Sequence, residues 1–169
     1  MKRNIIAILI GIAVLSGCQS QGNNYEALFT ENFKMAPNTL VKSSRSDVAP
    51  EASELGRIMA NYDKGEFEAA IQAFDQYLTA NPDYYEVKFY RGVTYLKLKN
   101  IDKAIADLQD VASSSSDFGE QAEWYLALSL IRSQKKDEAV KLLESMVKNN
   151  ASQGEKASFL LEKIEEWPS

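Results

Sequence analysis

Apolar residues recur every three or four positions along most of the chain, which is the spacing of amphipathic helices. Between residues 51 and 149, short polar turns interrupt this pattern and divide it into six predicted helices. The helices form three pairs, and the second helix of each pair opens in the same way, with a turn, an alanine, an isoleucine or valine, and a large apolar residue one helical turn later. The predicted helices span residues 51–64, 67–80, 83–98, 101–112, 119–133 and 137–149.

The repeated alanines are Ala70, Ala104 and Ala139, which are 34 and 35 residues apart. A small residue here lets the second helix of each pair cross the first at close range. The large apolar residues four positions later lie on the same helix face. They are Phe74, Leu108 and Leu143. Gly65 and Asn100 are predicted to end the first helices of two pairs, because both residue types tolerate left-handed backbone angles.

This repeat spacing and the recurring residue pattern resemble those of the tetratricopeptide repeat family. The segments that carry the resemblance are Gly65–Ile71, Arg91–Tyr95 and Asn81–Pro82. The resemblance implies an all-α, right-handed solenoid of about three helix-turn-helix repeats, whose first helices line a concave surface. The chain departs from the family pattern because it lacks the first-helix tryptophan and has Lys135 where glycine is usual. A generic helical bundle is the alternative interpretation.

A seventh helix is predicted over residues 152–166, where one face is apolar and the other is charged. A stack of repeats exposes an apolar end, so this helix is expected to be a C-terminal capping helix. The chain is therefore divided into three parts. They are a signal peptide at 1–17, a lipidated tether with an N-terminal segment at 18–50, and a repeat domain with its capping helix at 51–169.

The first residues have the features of a targeting signal, with Lys2 and Arg3 before an uncharged apolar run. The run ends in Leu15-Ser16-Gly17-Cys18, which resembles the lipobox of bacterial lipoproteins. The resemblance implies that diacylglycerol is attached to the Cys18 thiol, that the chain is cut before Cys18, and that the new amino group is acylated. Gln19 favours the outer membrane under the enterobacterial sorting rule. An ordinary free thiol after a signal peptide is the alternative for Cys18.

Equivalent positions of the first helices predict a binding groove. Its lining is expected to be apolar and aromatic, with Lys97 and Arg132 at its edge. The apolar positions are Leu55, Met59, Tyr62, Phe89, Val93, Leu96, Trp124, Leu128 and Ile131. A surface of this kind is not expected to face water unoccupied. Trp124 is singled out because tryptophan is enriched at binding hot spots.

Two occupants of the groove are considered. One is a segment of a protein partner, bound as an extended peptide or an amphipathic helix. The other is the chain's own Tyr25–Pro37 segment, in which Leu28, Phe29 and Phe33 predict a short amphipathic helix over residues 25–35. Residues 19–24 are predicted to be a polar tether. A third interpretation is that the lining residues are ordinary core.

The composition argues against several classes of function. The formal charge of −5 and a pI of about 4.9 disfavour binding to nucleic acid, which requires a basic face. The chain has no histidine, so it lacks the commonest general base and metal ligand. Its one cysteine is Cys18. No catalytic residues, metal site or cofactor are predicted, and the protein is not expected to be an enzyme.

The sequence thus predicts a membrane-anchored periplasmic adaptor that binds a protein partner through its groove, in cell-envelope assembly or transport. Two alternative functions are also compatible with the sequence. A peptidoglycan- or glycan-binding module could stack sugars on Tyr62, Phe89 and Trp124. A self-associating lipoprotein could fill the groove with the Tyr25–Pro37 segment of a neighbouring copy.

Overall fold

The computed structural model describes residues 15–40, 53–149 and 151–166, with the side chains from residue 24 onward. These residues form eight helices and no strand, so the predicted all-α, tetratricopeptide-repeat-like solenoid is confirmed. The helices are α1 (Leu15–Asn32), α2 (Glu54–Lys64), α3 (Phe67–Ala80), α4 (Tyr85–Lys97), α5 (Ile101–Ala112), α6 (Gly119–Arg132), α7 (Lys136–Lys148) and α8 (Gly154–Glu165).

From α2 onward, each helix packs against the next one in chain order. The pairs α2–α3, α4–α5 and α6–α7 are the three predicted repeats, and α8 packs on α7. Ala70, Ala104 and Ala139 are fully buried, in agreement with their predicted role at the helix crossings. Gly92 shows how close these crossings are, because a Cβ atom added to it would lie 2.9 Å from Leu108 Cγ. The stacking of the pairs therefore depends on small residues at fixed positions.

The turn inside each pair has one conformation in all three repeats. A left-handed residue follows the first helix, with φ of 77° at Gly65, 64° at Lys99 and 60° at Gln134. The next N–H then bonds a carbonyl five residues back, as from Asn100 to Tyr95. The prediction that Asn100 supplies the left-handed angle is wrong, since its φ is −85°. The hydrogen-bond pattern places that angle one residue earlier, whichever side chain is present.

Helix α8 begins 35 residues after α6, so it corresponds to the first helix of a further, incomplete repeat. Ala157, Leu160 and Ile164 are fully buried against the preceding helices, and the charged side is exposed. Phe159 is the exception, because 47% of its surface is exposed. The helix therefore covers the end of the stack in the manner predicted for a cap.

Helix α1 is longer than the predicted helix and ends earlier, at Asn32 rather than at residue 35. It includes residues 19–24, for which the sequence predicts a tether, since no proline interrupts this stretch. Residues 33–39 have no regular secondary structure. Within the described ranges, no helix has both the length and the apolar character needed to cross a membrane.

Candidate functional site on the first-helix face

The predicted groove residues do lie together, on the side of the stack formed by α2, α4 and α6, which is called here the first-helix face. However, eight of the nine apolar lining residues are buried, and the ninth, Leu55, is partly buried. The fully buried ones are Met59, Phe89, Val93, Leu96, Leu128 and Ile131. These six residues belong to the core of this structure and do not form an open surface in it, and partner binding through them stays a prediction.

The chain's own residues 25–40 cover the first-helix face and are called here the covering segment. Its first part is the end of α1, and its second part, residues 33–40, is a loop. Five apolar side chains of this segment are at most 7% exposed. They are Tyr25, Leu28, Phe29, Ala36 and Leu40. Phe33 stacks on Phe29 with ring centroids 4.9 Å apart and meets the edge of Tyr125. The structure thus supports docking of the N-terminal segment within the same chain.

Three tyrosine hydroxyls hold the loop part of the covering segment. Tyr62 on α2 donates to the Ala36 carbonyl at 2.6 Å, and Tyr90 on α4 donates to the Pro37 carbonyl at 3.0 Å. Tyr125 on α6 donates to the Lys34 carbonyl at 2.9 Å. Each first helix therefore contributes one donor to a backbone carbonyl. Such contacts depend on the path of the bound backbone and not on its side chains.

Burial raises the pKa of Tyr125 to about 12, with a smaller contribution from Tyr90. Burial also raises the pKa of Tyr62, with smaller contributions from Tyr125, Tyr90 and Asp63. Both hydroxyls therefore keep their protons, and remain hydrogen-bond donors, well above neutral pH.

Arg132 anchors the helical part of the covering segment. Its Nη2 and Nε atoms donate to the two carboxylate oxygens of Glu26 at 2.7 and 3.1 Å. Its guanidinium lies 4.1 Å from the ring centroid of Phe29, and its Nη1 donates to the Leu96 carbonyl. One side chain thus links α6 to α4 and to the covering segment.

Lys97 occupies the equivalent position in the preceding repeat but has a different environment. It is exposed, and its Nζ lies 6.0 Å from the ring centroid of Phe67. The prediction that Lys97 and Arg132 flank one groove together is therefore only partly supported. The covering segment reaches Arg132 through Glu26, whereas Lys97 lies beside the turn of the first repeat.

Tyr90 and Tyr125 are the functional residues that the sequence analysis missed. They are 35 residues apart and directly follow the predicted groove residues Phe89 and Trp124. The same residue type at equivalent positions of two repeats was a usable signal. A ranking of positions by apolar character does not detect this signal, because these tyrosines act through their hydroxyls.

Two cavities remain on either side of the covering segment, and both are bordered by Ala36 and Pro37. The first, called here the Trp124 cavity, has a volume of about 410 Å³. Its lining includes Asn32, Lys34, Gln121, Trp124, Gln153 and Lys156. The second has a volume of about 420 Å³ and is bordered by Tyr62 and Phe67. Of the predicted groove residues, Trp124 and Tyr62 are the ones that border these spaces.

The aromatic residues proposed for sugar stacking are poorly placed for it. Phe89 is fully buried, and Trp124 is only 6% exposed, with Lys156 Nζ 5.5 Å from its ring centroid. Tyr62 is also buried and uses its hydroxyl to hold the covering segment. Because stacking requires an open ring face, these three residues do not form a sugar-binding surface in this structure.

Other predictions fall on residues that the structure does not describe. Cys18 lies in α1, but its side chain is outside the described part of the structure. Its lipidation therefore stays a prediction. The signal peptide, apart from the backbone of its last three residues, and residues 41–50 of the predicted N-terminal segment also lie outside the described residues. In the part of the chain that is described, no three histidine, cysteine, aspartate or glutamate residues are grouped to hold a metal ion.

Comparison with known families bears on the three helix pairs. One family model for the tetratricopeptide repeat matches residues 55–118, and a second model of the same description matches residues 121–152. The first range includes α2 to α5, and the second includes α6 and α7. Comparison with curated proteins gives no match, and comparison with solved structures gives none either.

Proposed function

The chain carries tetratricopeptide repeats, and we propose that it is a lipid-anchored adaptor that binds a protein partner on its first-helix face in the bacterial periplasm. Repeats of this kind generally bind protein partners and are generally non-catalytic scaffolds. An adaptor of this type holds its partner at a membrane, where the anchor raises the local concentration of the pair.

The lipid anchor is proposed from the sequence alone. The support is the apolar run after Lys2 and Arg3, which ends in Leu15-Ser16-Gly17-Cys18. One acyl chain anchors a protein only marginally, at about 0.8 kcal/mol per buried CH₂, so stable anchoring needs more than one chain. A triacylated Cys18 meets that requirement. Gln19 favours the outer membrane in this proposal.

The observation that supports the binding function is the covering segment itself. The first-helix face holds residues 34–37 through three tyrosine hydroxyls, each donating to a backbone carbonyl. This arrangement supports the proposal that the face can bind a polypeptide backbone. We propose that a partner uses the part of this face that the covering segment leaves free.

Site-specific photo-crosslinking in membranes tests this function. A photoreactive amino acid replaces Lys97 or Lys156, which are exposed beside the first-helix face, and Lys141 on α7 serves as the matched control. The expected result is one protein captured from Lys97 or Lys156 and not from Lys141. Capture of the same proteins from all three positions, or capture of none, contradicts the adaptor function. Failure of Cys18→Ser to reduce palmitate incorporation and membrane association contradicts the anchor.

A further inference from the structure

We propose that helix α8 is a dimerisation surface, on which α8 of a second copy of the chain packs side by side and parallel, with Phe159 of the two copies in contact. The inference goes beyond the proposed adaptor function, and one step of the argument rests on the proposed lipid anchor. Phe159 is the starting point, because 47% of its surface is exposed on the helix that closes the stack.

The repeat spacing identifies which side of α8 is left open. Phe159 follows Trp124 by 35 residues, and Trp124 follows Phe89 by 35 residues, so the three aromatic residues are equivalent. Each of the earlier two is covered in part by the next first helix. Phe89 lies 5.6 Å from the Tyr125 ring centroid on α6, and Lys156 of α8 lies 5.5 Å from the Trp124 ring centroid. No helix follows α8 within the described residues, so Phe159 lies at the open end of the stack.

The rest of this open side of α8 is polar. Lys163 and Glu166 are equivalent to Leu128 and Ile131 of α6, which are fully buried. A helix that served only to make the end of the stack soluble would carry a polar residue at position 159 as well. The sequence instead keeps one aromatic residue at the centre of a charged surface. This is the arrangement of a small contact site with a polar rim.

The charges beside Phe159 form two rows. At about 3.6 residues per turn, Glu155 and Glu162 lie on one flank of Phe159, and Lys156 and Lys163 lie on the other. Lys163 Nζ is 3.5 Å from Glu162 of its own chain, with 37% and 67% of the two side chains exposed. Such an exposed ion pair is weak, so it can rearrange when a second helix approaches.

The two rows favour a parallel pair of helices. In a symmetric parallel pair, the acidic flank of one helix meets the basic flank of the other, so that Glu162 of one copy faces Lys163 of the second copy. Glu155 faces Lys156 in the same way. In an antiparallel pair identical flanks meet, and Glu155 would face Glu162 of the second copy. Charge complementarity therefore identifies a second copy of this chain as the occupant and gives its direction.

The direction of α1 agrees with a parallel pair. Glu26 contacts Arg132, the last residue of α6, and the Lys34 carbonyl accepts a hydrogen bond from Tyr125, seven residues earlier in α6. Helix α1 is therefore antiparallel to α6, and its Cys18 end points the same way as the C-terminal end of α6. Helix α8 is parallel to α6, because α7 turns the chain back between them. In a parallel pair both Cys18 residues lie on one side of the dimer, so both lipids can enter one membrane.

The expected dimer is weak in dilute solution. One helix from each copy buries less than the area of about 800 Å² per partner that is typical of stable complexes. The lipid anchors confine both copies to one surface, which raises their effective concentration. Association through α8 is therefore expected mainly at the membrane.

The test measures energy transfer between full-length lipoproteins in phospholipid vesicles at low surface density. Donor and acceptor dyes are attached at Lys141→Cys, an exposed position on α7, the helix that packs on α8. Cys18 is the only native cysteine and carries the lipid in the proposed anchor, so it does not react with the dyes. The test variants are Phe159→Ser and Glu162→Lys. The matched control is Glu144→Lys, which makes the same charge change at an exposed position of α7.

We expect Phe159→Ser to weaken association by about ten-fold or more, because both copies lose an apolar contact. Its melting temperature should equal that of the wild type, since Phe159 is exposed. Glu162→Lys should weaken association by about three-fold or more, because two opposite-charge contacts become like-charge contacts. A Glu162→Lys donor mixed with a Lys163→Glu acceptor should restore energy transfer, since opposite charges then meet again. Glu144→Lys should leave it unchanged.

Energy transfer in the wild type at the level of random encounters, or equal transfer in the wild type and Phe159→Ser, overturns the proposal. Stronger transfer in Glu162→Lys indicates an antiparallel pair and also overturns it. If a partner is still crosslinked at Lys97 in these cases, the adaptor function stands and the dimer fails. If Cys18→Ser does not reduce membrane association, the anchor fails instead. Sedimentation equilibrium of concentrated protein then decides the pairing. The wild type should form dimers and Phe159→Ser should not, and monomers in both would overturn the proposal.

Discussion

The hydrogen bond from Tyr62 to the Ala36 carbonyl gives the sharpest test of how the covering segment is held. Both residues are buried, and the donor and acceptor are 2.6 Å apart. Tyr62→Phe keeps the ring and its packing but leaves the carbonyl without this donor. Leaving one buried polar group unpaired costs about 1–3 kcal/mol. For a chain of this size, each 1 kcal/mol lowers the melting temperature by about 2–4 °C.

The assay combines thermal unfolding with amide hydrogen exchange of residues 33–40. The expected result is a melting temperature about 2–12 °C lower, by the same scaling. Exchange of the covering segment should also become at least about five-fold faster, since 1.4 kcal/mol is a factor of ten and the expected loss begins at about 1 kcal/mol. The matched control is Tyr84→Phe, because Tyr84 packs edge-on against Tyr77 and its hydroxyl forms no hydrogen bond with the residues that the structure describes. Equal melting temperatures and exchange rates in Tyr62→Phe and Tyr84→Phe would refute the reasoning.

Three other substitutions test the remaining contacts. Arg132→Met should lower the free energy of unfolding by about 1–3 kcal/mol, because it breaks a hydrogen bond to a backbone carbonyl. Glu26→Gln should lower it by under about 1 kcal/mol, since Glu26 is half exposed. Chemical denaturation measures both losses, and equal losses would contradict the role of Arg132 as the anchor. Gly92→Ala should destabilise by about 1–3 kcal/mol, because its Cβ would press on a buried leucine, and an unchanged denaturation midpoint would argue against the close crossing. Burial raises the pKa of Tyr125 to about 12, so the stability that its protonated hydroxyl contributes is complete below pH 10 and is lost as the pH rises toward 12. Tyr125→Phe should therefore flatten the pH dependence of the free energy of unfolding in that window. An unchanged slope would contradict this role of the hydroxyl.

The fold was predictable because its main determinants are local and periodic. The spacing of Ala70, Ala104 and Ala139 gives both the number of repeats and the positions of the helix crossings. The turn was harder to place, because Lys99 and Gln134 adopt positive φ angles that their side chains do not favour. Hydrogen bonds of the preceding helix impose that conformation, and residue propensity at a single position does not reveal them.

The site was predictable only in part. The sequence identified the face, the N-terminal segment that can occupy it, and the tryptophan that borders the remaining cavity. It did not identify Tyr90 and Tyr125 as hydrogen-bond donors. Their acceptors are backbone carbonyls that lie 53 and 91 residues away in the sequence, and periodicity carries no information on such contacts.

The covering segment also connects the proposed anchor to the proposed binding site. An uncovered first-helix face would expose a large apolar surface, which in a monomeric protein favours association with itself or with lipid. The segment covers that surface yet leaves the Trp124 cavity accessible. Helix α1 is continuous from Leu15 to Asn32, so Cys18 and Glu26 are separated by eight residues of helix, or about 12 Å at 1.5 Å per residue. A lipid on Cys18 would therefore hold the first-helix face close to the membrane surface, where a partner in the same membrane can reach it.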